Sequence, residues 1–379
     1  MSQPHLDLGD LVRRSQALAR GAGLAGPPAG DGALREVGEF GPNPGRLRML
    51  TFVPPGLPAG APLVLVLHGC GQTAGGYDRG SGWSALATRL GFALVFPEQR
   101  PANNPNRCFN WFRPADTRRD AGEAASIRQM VAWMLPRHRL DPRRVFVTGL
   151  SAGGAMASVM LAAYPDSVAA GAIIAGLPYG AAQSIPEAFE AMATGRPRPA
   201  EAWAEAVRRA SPHRGPWPRV SIWQGSADAT VRPVNADQIL AQWRALHGPA
   251  ATAEAERLLA PGHRLALWRG PDGRVLIELH RIEGMGHGVP IAPRAGTPPL
   301  GEAGPFMLDV GIASTAAIAE FFGLGAAHAG EAAPARPLPN SSSGPSSGPS
   351  SGPAPGLMDR IDPRPLLRRA LRAAGLLDR

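Results

Sequence analysis

Apolar residues fall into short unbroken runs, separated by longer stretches where they recur every three or four positions. Residues 62–67 read Pro-Leu-Val-Leu-Val-Leu with no polar alternation. That pattern predicts a strand buried on both faces, as in the middle of a parallel sheet. Residues 92–97, 144–150, 167–175 and 220–225 repeat it. Helical periodicity predicts helices at 83–90, at 120–135 with Asp120 as N-cap, and from Ser151 to about Tyr164. Further helices are expected at 234–247 and 306–322. Residues 186–210 read as helical, broken near Gly195–Pro199, and suggest a cap insertion. Residues 34–40 and 47–53 predict a hairpin that opens the sheet. Residues 264–268 and 274–280 predict another, joined by Pro271-Asp272-Gly273. Strands alternating with helices imply an α/β fold: a mostly parallel central sheet with helices on both faces. Function in such sheets sits at the carboxyl ends of the strands.

The ends of the chain differ. Leu8, Leu11, Val12, Leu18 and Ala19 share a helical face, with Arg13, Arg14 and Arg20 off it. A Gly/Pro-rich linker follows. After Leu324 the composition collapses to Ala, Pro, Gly and Ser, which has nothing to bury. Leu366, Leu367, Ala370, Leu371, Ala374 and Leu377 then share a face, and Arg364, Arg368, Arg369 and Arg372 lie off it. The expected organisation is an amphipathic helix and linker (1–33), a catalytic domain (34–325), a linker (326–356) and a basic amphipathic helix (357–379). The two basic helices suggest contact with a granule or an anionic membrane surface; packing against the domain is the plainer alternative.

Composition narrows the function. With 379 residues, 44% of them hydrophobic, the chain can bury a full core. All 39 basic residues are Arg, and the formal charge is +9. Together with 47 Gly and 41 Pro, this reads as a genome bias rather than a nucleic-acid footprint. No basic run interleaved with aromatics supports nucleic-acid binding. No stretch of about 18 apolar residues predicts a membrane helix. The first ten residues lack a basic segment followed by an apolar run, so no Sec-type leader is expected. The two cysteines, Cys70 and Cys108, match no metal-site spacing, and no cofactor is expected. Both lie in loops near the expected site. A single bridge is one reading, and two reduced thiols, as in a cytoplasmic protein, is the other.

Candidate chemistry centres on Gly149-Leu150-Ser151-Ala152-Gly153, at the junction of a strand and a helix. This Gly-x-Ser-x-Gly pattern puts a serine on a sharp turn with its hydroxyl above the sheet edge. The alternative is a serine that merely caps the helix. A serine nucleophile needs a base and an orienting carboxylate, in the order Ser, Asp/Glu, His in this fold. Asp228 follows a buried strand and is preferred over Asp237, inside a helix, and Asp272, in a hairpin turn. His287 lies in the Gly-flanked loop Gly284-Met285-Gly286-His287-Gly288. It is preferred over His213, His247, His263 and His280. The oxyanion donors are expected at the amides of Ala152 and of Cys70, in His68-Gly69-Cys70-Gly71-Gln72. Cys70 itself, read as a nucleophile, has no comparable base.

These segments resemble the polyhydroxyalkanoate (PHB) depolymerase family of esterases, of the extracellular short-chain-length type. Matching pieces include Tyr77-Asp78-Arg79-Gly80-Ser81-Gly82-Trp83, Phe96-Pro97-Glu98-Gln99 and Cys108-Phe109-Asn110-Trp111-Phe112. The resemblance covers roughly residues 35–325. It implies an α/β-hydrolase fold and a serine hydrolase acting on esters of 3-hydroxyalkanoates, with the triad Ser151, Asp228 and His287. It also implies a polyester or oligoester partner, an extracellular location, and oxyanion donors at Cys70 and Ala152. Feruloyl and acetyl-xylan esterases share much of the pattern and supply the alternative substrates. Trp83, Trp111 and Phe112 are candidates for the acyl pocket, with ordinary core as the equal alternative.

Overall fold

The run at 63–67 faces two cores at once, and the sheet is built around it. The structure, a computed structural model, describes residues 31–294 and 300–325. The amphipathic stretches and the 326–356 linker lie outside the described residues. The first half holds β1 (Arg35–Val37), β2 (Arg48–Phe52), β3 (Leu63–Leu67), α1 (Ala74–Ser81), α2 (Trp83–Leu90), β4 (Ala93–Glu98), α3 (Pro114–Thr117) and α4 (Gly122–Arg137). The middle holds β5 (Val145–Leu150), α5 (Ala152–Ala163), β6 (Ala170–Ile174), α6 (Ile185–Thr194), α7 (Ala200–Ala210), β7 (Arg219–Gly225) and α8 (Val234–His247). Then come β8 (Thr252–Ala253), β9 (Arg257–Ala260), β10 (His263–Arg269), β11 (Val275–Ile282), β12 (Val289–Ile291), β13 (Met307–Asp309) and α9 (Ser314–Phe322).

The large sheet runs β1-β2-β4-β3-β5-β6-β7-β11-β10-β8, with β9 also on β10. Strands β4, β3, β5, β6, β7 and β11 are parallel; the hairpins at either side are antiparallel. Alternate side chains of β3 enter opposite layers. Leu63, Leu65 and Leu67 join Ile127, Met130 and Met134 of α4 and the apolar residues of α5 and α8. Val64 and Val66 join Tyr77, Trp83, Leu86 and the phenylalanines of α9. A strand covered on both sides has no polar face to show, which is why the run does not alternate. All twelve residues of α5 are buried, as its Ala and Gly content allows.

Most expected elements form, the break between α6 and α7 at Gly195–Pro199 among them. Two expectations are corrected. Asp120 is not the N-cap of α4. It sits at φ 62°, its N–H donates to Tyr164 Oη at 2.7 Å, and the helix starts after Ala121. The last helix begins at Ser314 rather than 306, because residues 307–309 pair with β12 as β13 and Gly311 turns the chain at φ 72°. Helix α1 was not anticipated. Its N-cap is Thr73, whose hydroxyl accepts from Gly76 N–H at 3.1 Å.

Candidate active site

Strand β5 ends at Leu150 and α5 begins at Ala152, so one residue makes the turn. Ser151 has φ 57° and ψ −118°, outside the ordinary regions for a residue with a side chain. Such a conformation persists only where its surroundings over-determine it. Here Ser151 N–H donates to Ile174 O at 2.9 Å, and Ser151 O accepts from Ala155 N–H at 2.8 Å. A Cβ at Gly149 would overlap Gly153, and one at Gly153 would overlap the carbonyls of Leu67 and His68. The turn therefore packs directly on the loop that leaves β3. Ser151 stands at the N-cap position, yet its hydroxyl makes no capping hydrogen bond. The capping alternative thus fails.

Asp228 lies three residues past the end of β7, and His287 lies five past the end of β11, the parallel neighbour of β7. Their side chains meet: His287 Nδ1 donates to Asp228 Oδ2 at 2.7 Å. The Asp228 side chain is fully buried, and that of His287 is 9% exposed. Asp228 Oδ1 accepts from Thr230 N–H and Val231 N–H, each at 2.9 Å, and Gln224 Nε2 donates to Oδ2 at 3.2 Å. The carboxylate is thus fixed by four donors. It fixes in turn the tautomer of His287, leaving Nε2 to accept a proton. Ser151 shares this carboxyl edge, two strands from β7. Among the described residues no hydrogen bond joins Ser151 to His287; without substrate that contact is commonly long.

The rival residues are engaged elsewhere. Asp237 pairs with Arg281, and Asp272 accepts from Arg274 N–H in its hairpin turn. His263 and His280 bond each other at 2.9 Å, and His280 stacks on Trp223 at 3.6 Å. Cys70 is joined to Cys108 in a disulfide, so it is not a thiol nucleophile.

The loop after β3 runs beside the turn, since Leu67 and Gly149 are partners across β3 and β5. Among the described residues the amides of Cys70 and Ala152 have no acceptor. For Ala152 that follows from its place in the first turn of a helix. His68 Nδ1 bonds Gly69 O at 2.8 Å and its Nε2 accepts from Gln99 N–H at 3.1 Å. Burial holds the His68 pKa below the ordinary histidine value. Of the aromatic candidates, Trp83 takes the core role: it is 1% exposed and meets Phe92 edge-on. Trp111 and Phe112 meet each other edge-on at 5.5 Å, and Phe112 is half-buried.

Two neighbours of the site were invisible in the sequence. Gln224 holds Asp228 from within β7. Phe306 stands edge-on to His287 at 6.0 Å with a backbone φ of 63°, rare for a bulky residue. No local sequence signal marks either one.

A family model described as Esterase PHB depolymerase matches residues 47–261. The chain belongs to this family. It is 44% identical to the Poly(3-hydroxyalkanoate) depolymerase C of Paucimonas lemoignei, over 83% of this chain and 76% of that protein. It is 32% identical to an acetylxylan esterase of Coprinopsis cinerea, over 70% of this chain and 72% of the relative. Among solved structures it resembles the acetyl xylan esterase from Aspergillus awamori, with a TM-score of 0.64 and 25% identity, over 77% of this chain and 99% of that one. This member of the esterase family is a carboxylic ester hydrolase of α/β-hydrolase fold.

Two histidines, His263 buried and His247 partly buried, contribute to the esterase's acid stability. Burial, and for His263 the neighbouring His280, lowers the pKa of His247 and of His263 to about 4. Each binds its proton near pH 6.5 when unfolded. Unfolding therefore takes up protons between those values, and stability falls as pH drops from about 6.5 to about 4. The change of melting temperature across that window should be less destabilising toward acid in His247→Gln than in wild type. An unchanged slope in the variant would contradict this.

Proposed function

We propose that the esterase hydrolyses short-chain poly- or oligo(3-hydroxyalkanoate) esters with a Ser151–His287–Asp228 triad and an acyl-enzyme intermediate. The observation that carries the chemistry is the fixed Asp228–His287 pair at the same sheet edge as the strained Ser151. Ser151 Oγ attacks the ester carbonyl while His287 Nε2 takes its proton. The tetrahedral oxyanion is received by the amides of Ala152 and Cys70. As the C–O bond breaks, His287 returns the proton to the leaving alcohol. A water then repeats the sequence on the acyl-enzyme: its proton goes to His287, its oxygen goes to the carbonyl, and Ser151 is released.

The substrate class rests on the 44% identity to the Paucimonas lemoignei depolymerase. A second reading, esters of the plant cell wall, is favoured by the acetylxylan esterase relatives and by a feruloyl esterase B of Thermothelomyces thermophilus, 33% identical over 61% of this chain and 80% of that protein. The disulfide favours an oxidising, extracellular setting. A substrate panel separates the two readings. Under the first, release of 3-hydroxybutyrate from its oligomers should exceed release of acetate from acetylated xylan, or of ferulate from its esters, in kcat/KM. The opposite order would establish the second.

A further inference from the structure

Glu123 is a carboxylic acid in the wrong place for a solvated charge. It lies in the first turn of α4, 1% exposed, with no arginine among its hydrogen-bond partners. Its oxygens are met only by donors. Gln99 Nε2 reaches Oε1 at 2.5 Å, Asn110 Nδ2 reaches Oε1 at 2.7 Å, and Asn110 N–H reaches Oε2 at 2.8 Å. Burial, followed by the nearby Asp116 carboxylate, pushes its pKa up to about 8. The three donors pull the other way, as does the helix N-terminus. Even with its hydrogen bonds made, a buried carboxyl carries a desolvation cost that an apolar side chain of similar size would not, so a stability role alone is a poor account of it.

The partners of Glu123 lead to one place. Gln99 is locked: its Oε1 accepts from Arg100 N–H at 3.0 Å and Asn103 Nδ2 at 2.9 Å, so its amide has one orientation. Its Nε2 also donates to Cys108 O at 3.0 Å, and its N–H holds His68. Asn110 follows Phe109, whose ring lies 4.9 Å from that of His68. Cys108 is bonded to Cys70, and Gly71 N–H donates to Asn106 O at 2.7 Å. One branch leaves through Asn103 to the carbonyls of Gly45 and Arg46; the paths through the Gln99 N–H, Phe109 and Cys108 converge on the turn His68-Gly69-Cys70-Gly71.

We propose that Glu123 is a positioning residue for ester hydrolysis: its buried carboxyl fixes Gln99 and Asn110, and through them the turn that aims the Cys70 amide at the oxyanion. The inference rests on the proposed reading of Ser151 as the nucleophile and of the Cys70 amide as a donor to the oxyanion it forms. Glu123 touches no substrate atom. It acts only where the charge develops, so its loss weakens the tetrahedral state more than the ground state.

The test uses the full chain as Glu123→Ala and Glu123→Gln. Rates on p-nitrophenyl butyrate are normalised to active sites titrated with a p-nitrophenyl alkylphosphonate, so that unfolded protein does not count. Binding of butaneboronic acid, whose adduct on Ser151 is a tetrahedral boronate with an oxygen where the oxyanion would form, is measured alongside. In Glu123→Ala, kcat per site should fall about tenfold or more, boronate binding should weaken in parallel, and KM should move less than about threefold. Glu123→Gln keeps the volume but sets one N–H₂ against a donor, and should fall between the two. If Glu123→Ala does not fold, Gln99→Met breaks the same link and should give the same split. Values of kcat and boronate affinity within about threefold of wild type in the folded variants would overturn the proposal. Full activity in Ser151→Ala would instead overturn the reading beneath it.

Discussion

Ser151→Ala is expected to lower hydrolysis of p-nitrophenyl butyrate by roughly 10⁴-fold or more, with the fold intact. The size follows from the role proposed for the residue. Without the hydroxyl there is no acyl-enzyme, and water must attack directly with only the oxyanion donors to help. The fold survives because the strain at this position lies in the backbone rather than in the side chain. Ser151 makes no side-chain cap, and its backbone bonds to Ile174 and Ala155 remain available to Ala. A side chain of either kind must accept φ 57°. The melting temperature should therefore move little while kcat collapses. Activity retained within tenfold would remove Ser151 from the mechanism.

Asp228→Asn should cost roughly 10³–10⁴-fold in kcat, although it deletes no atom position. All four groups around the carboxylate are donors: Thr230 N–H, Val231 N–H, Gln224 Nε2 and His287 Nδ1. An amide offers one acceptor. If its oxygen satisfies the two backbone donors, its N–H₂ faces His287 Nδ1. The imidazole must then accept at Nδ1 and carry its proton on Nε2, where it cannot take one from Ser151. If the amide turns the other way, the 228–231 turn loses its two anchors. Either outcome impairs turnover, and the second also lowers the melting temperature. Kinetics at several pH values with a parallel thermal melt would separate them. A loss below tenfold would show that Asp228 does not orient the base.

Much of this arrangement was legible because it is local. The unbroken run at 63–67 and the small residues after Ser151 report burial directly, and the Gly flanks of Ser151 report close approach. Asp228 and His287 could be selected because each follows a strand at a known edge. What escaped was non-local. Glu123 is bonded to Gln99 and Asn110, 24 and 13 residues away, and nothing near it in sequence distinguishes it from an exposed helix-start glutamate. Trp83 and Trp111 looked alike as aromatics beside motifs, yet Trp83 sits on the far side of the sheet's core, with Phe92. Asp120 has the right residue type for a cap, but the chain turns left-handed there and at Gly122, moving the helix start onward. Residues 307–309 carry a helical pattern that strand pairing with β12 overrides.

The contact of Gly153 with the carbonyls of Leu67 and His68 has a consequence for how this enzyme can change. The nucleophile turn and the loop beside it touch backbone to backbone, with no side chain between them to be exchanged. Substitution has no purchase there: the backbone on which the proposed nucleophile Ser151 sits is held by main-chain contacts. New substrate preferences must therefore enter from segments whose side chains can vary without moving that contact, such as the stretch around Phe306, beside His287. A library aimed at another ester would do best to leave residues 149–154 untouched and spend its diversity on that rim.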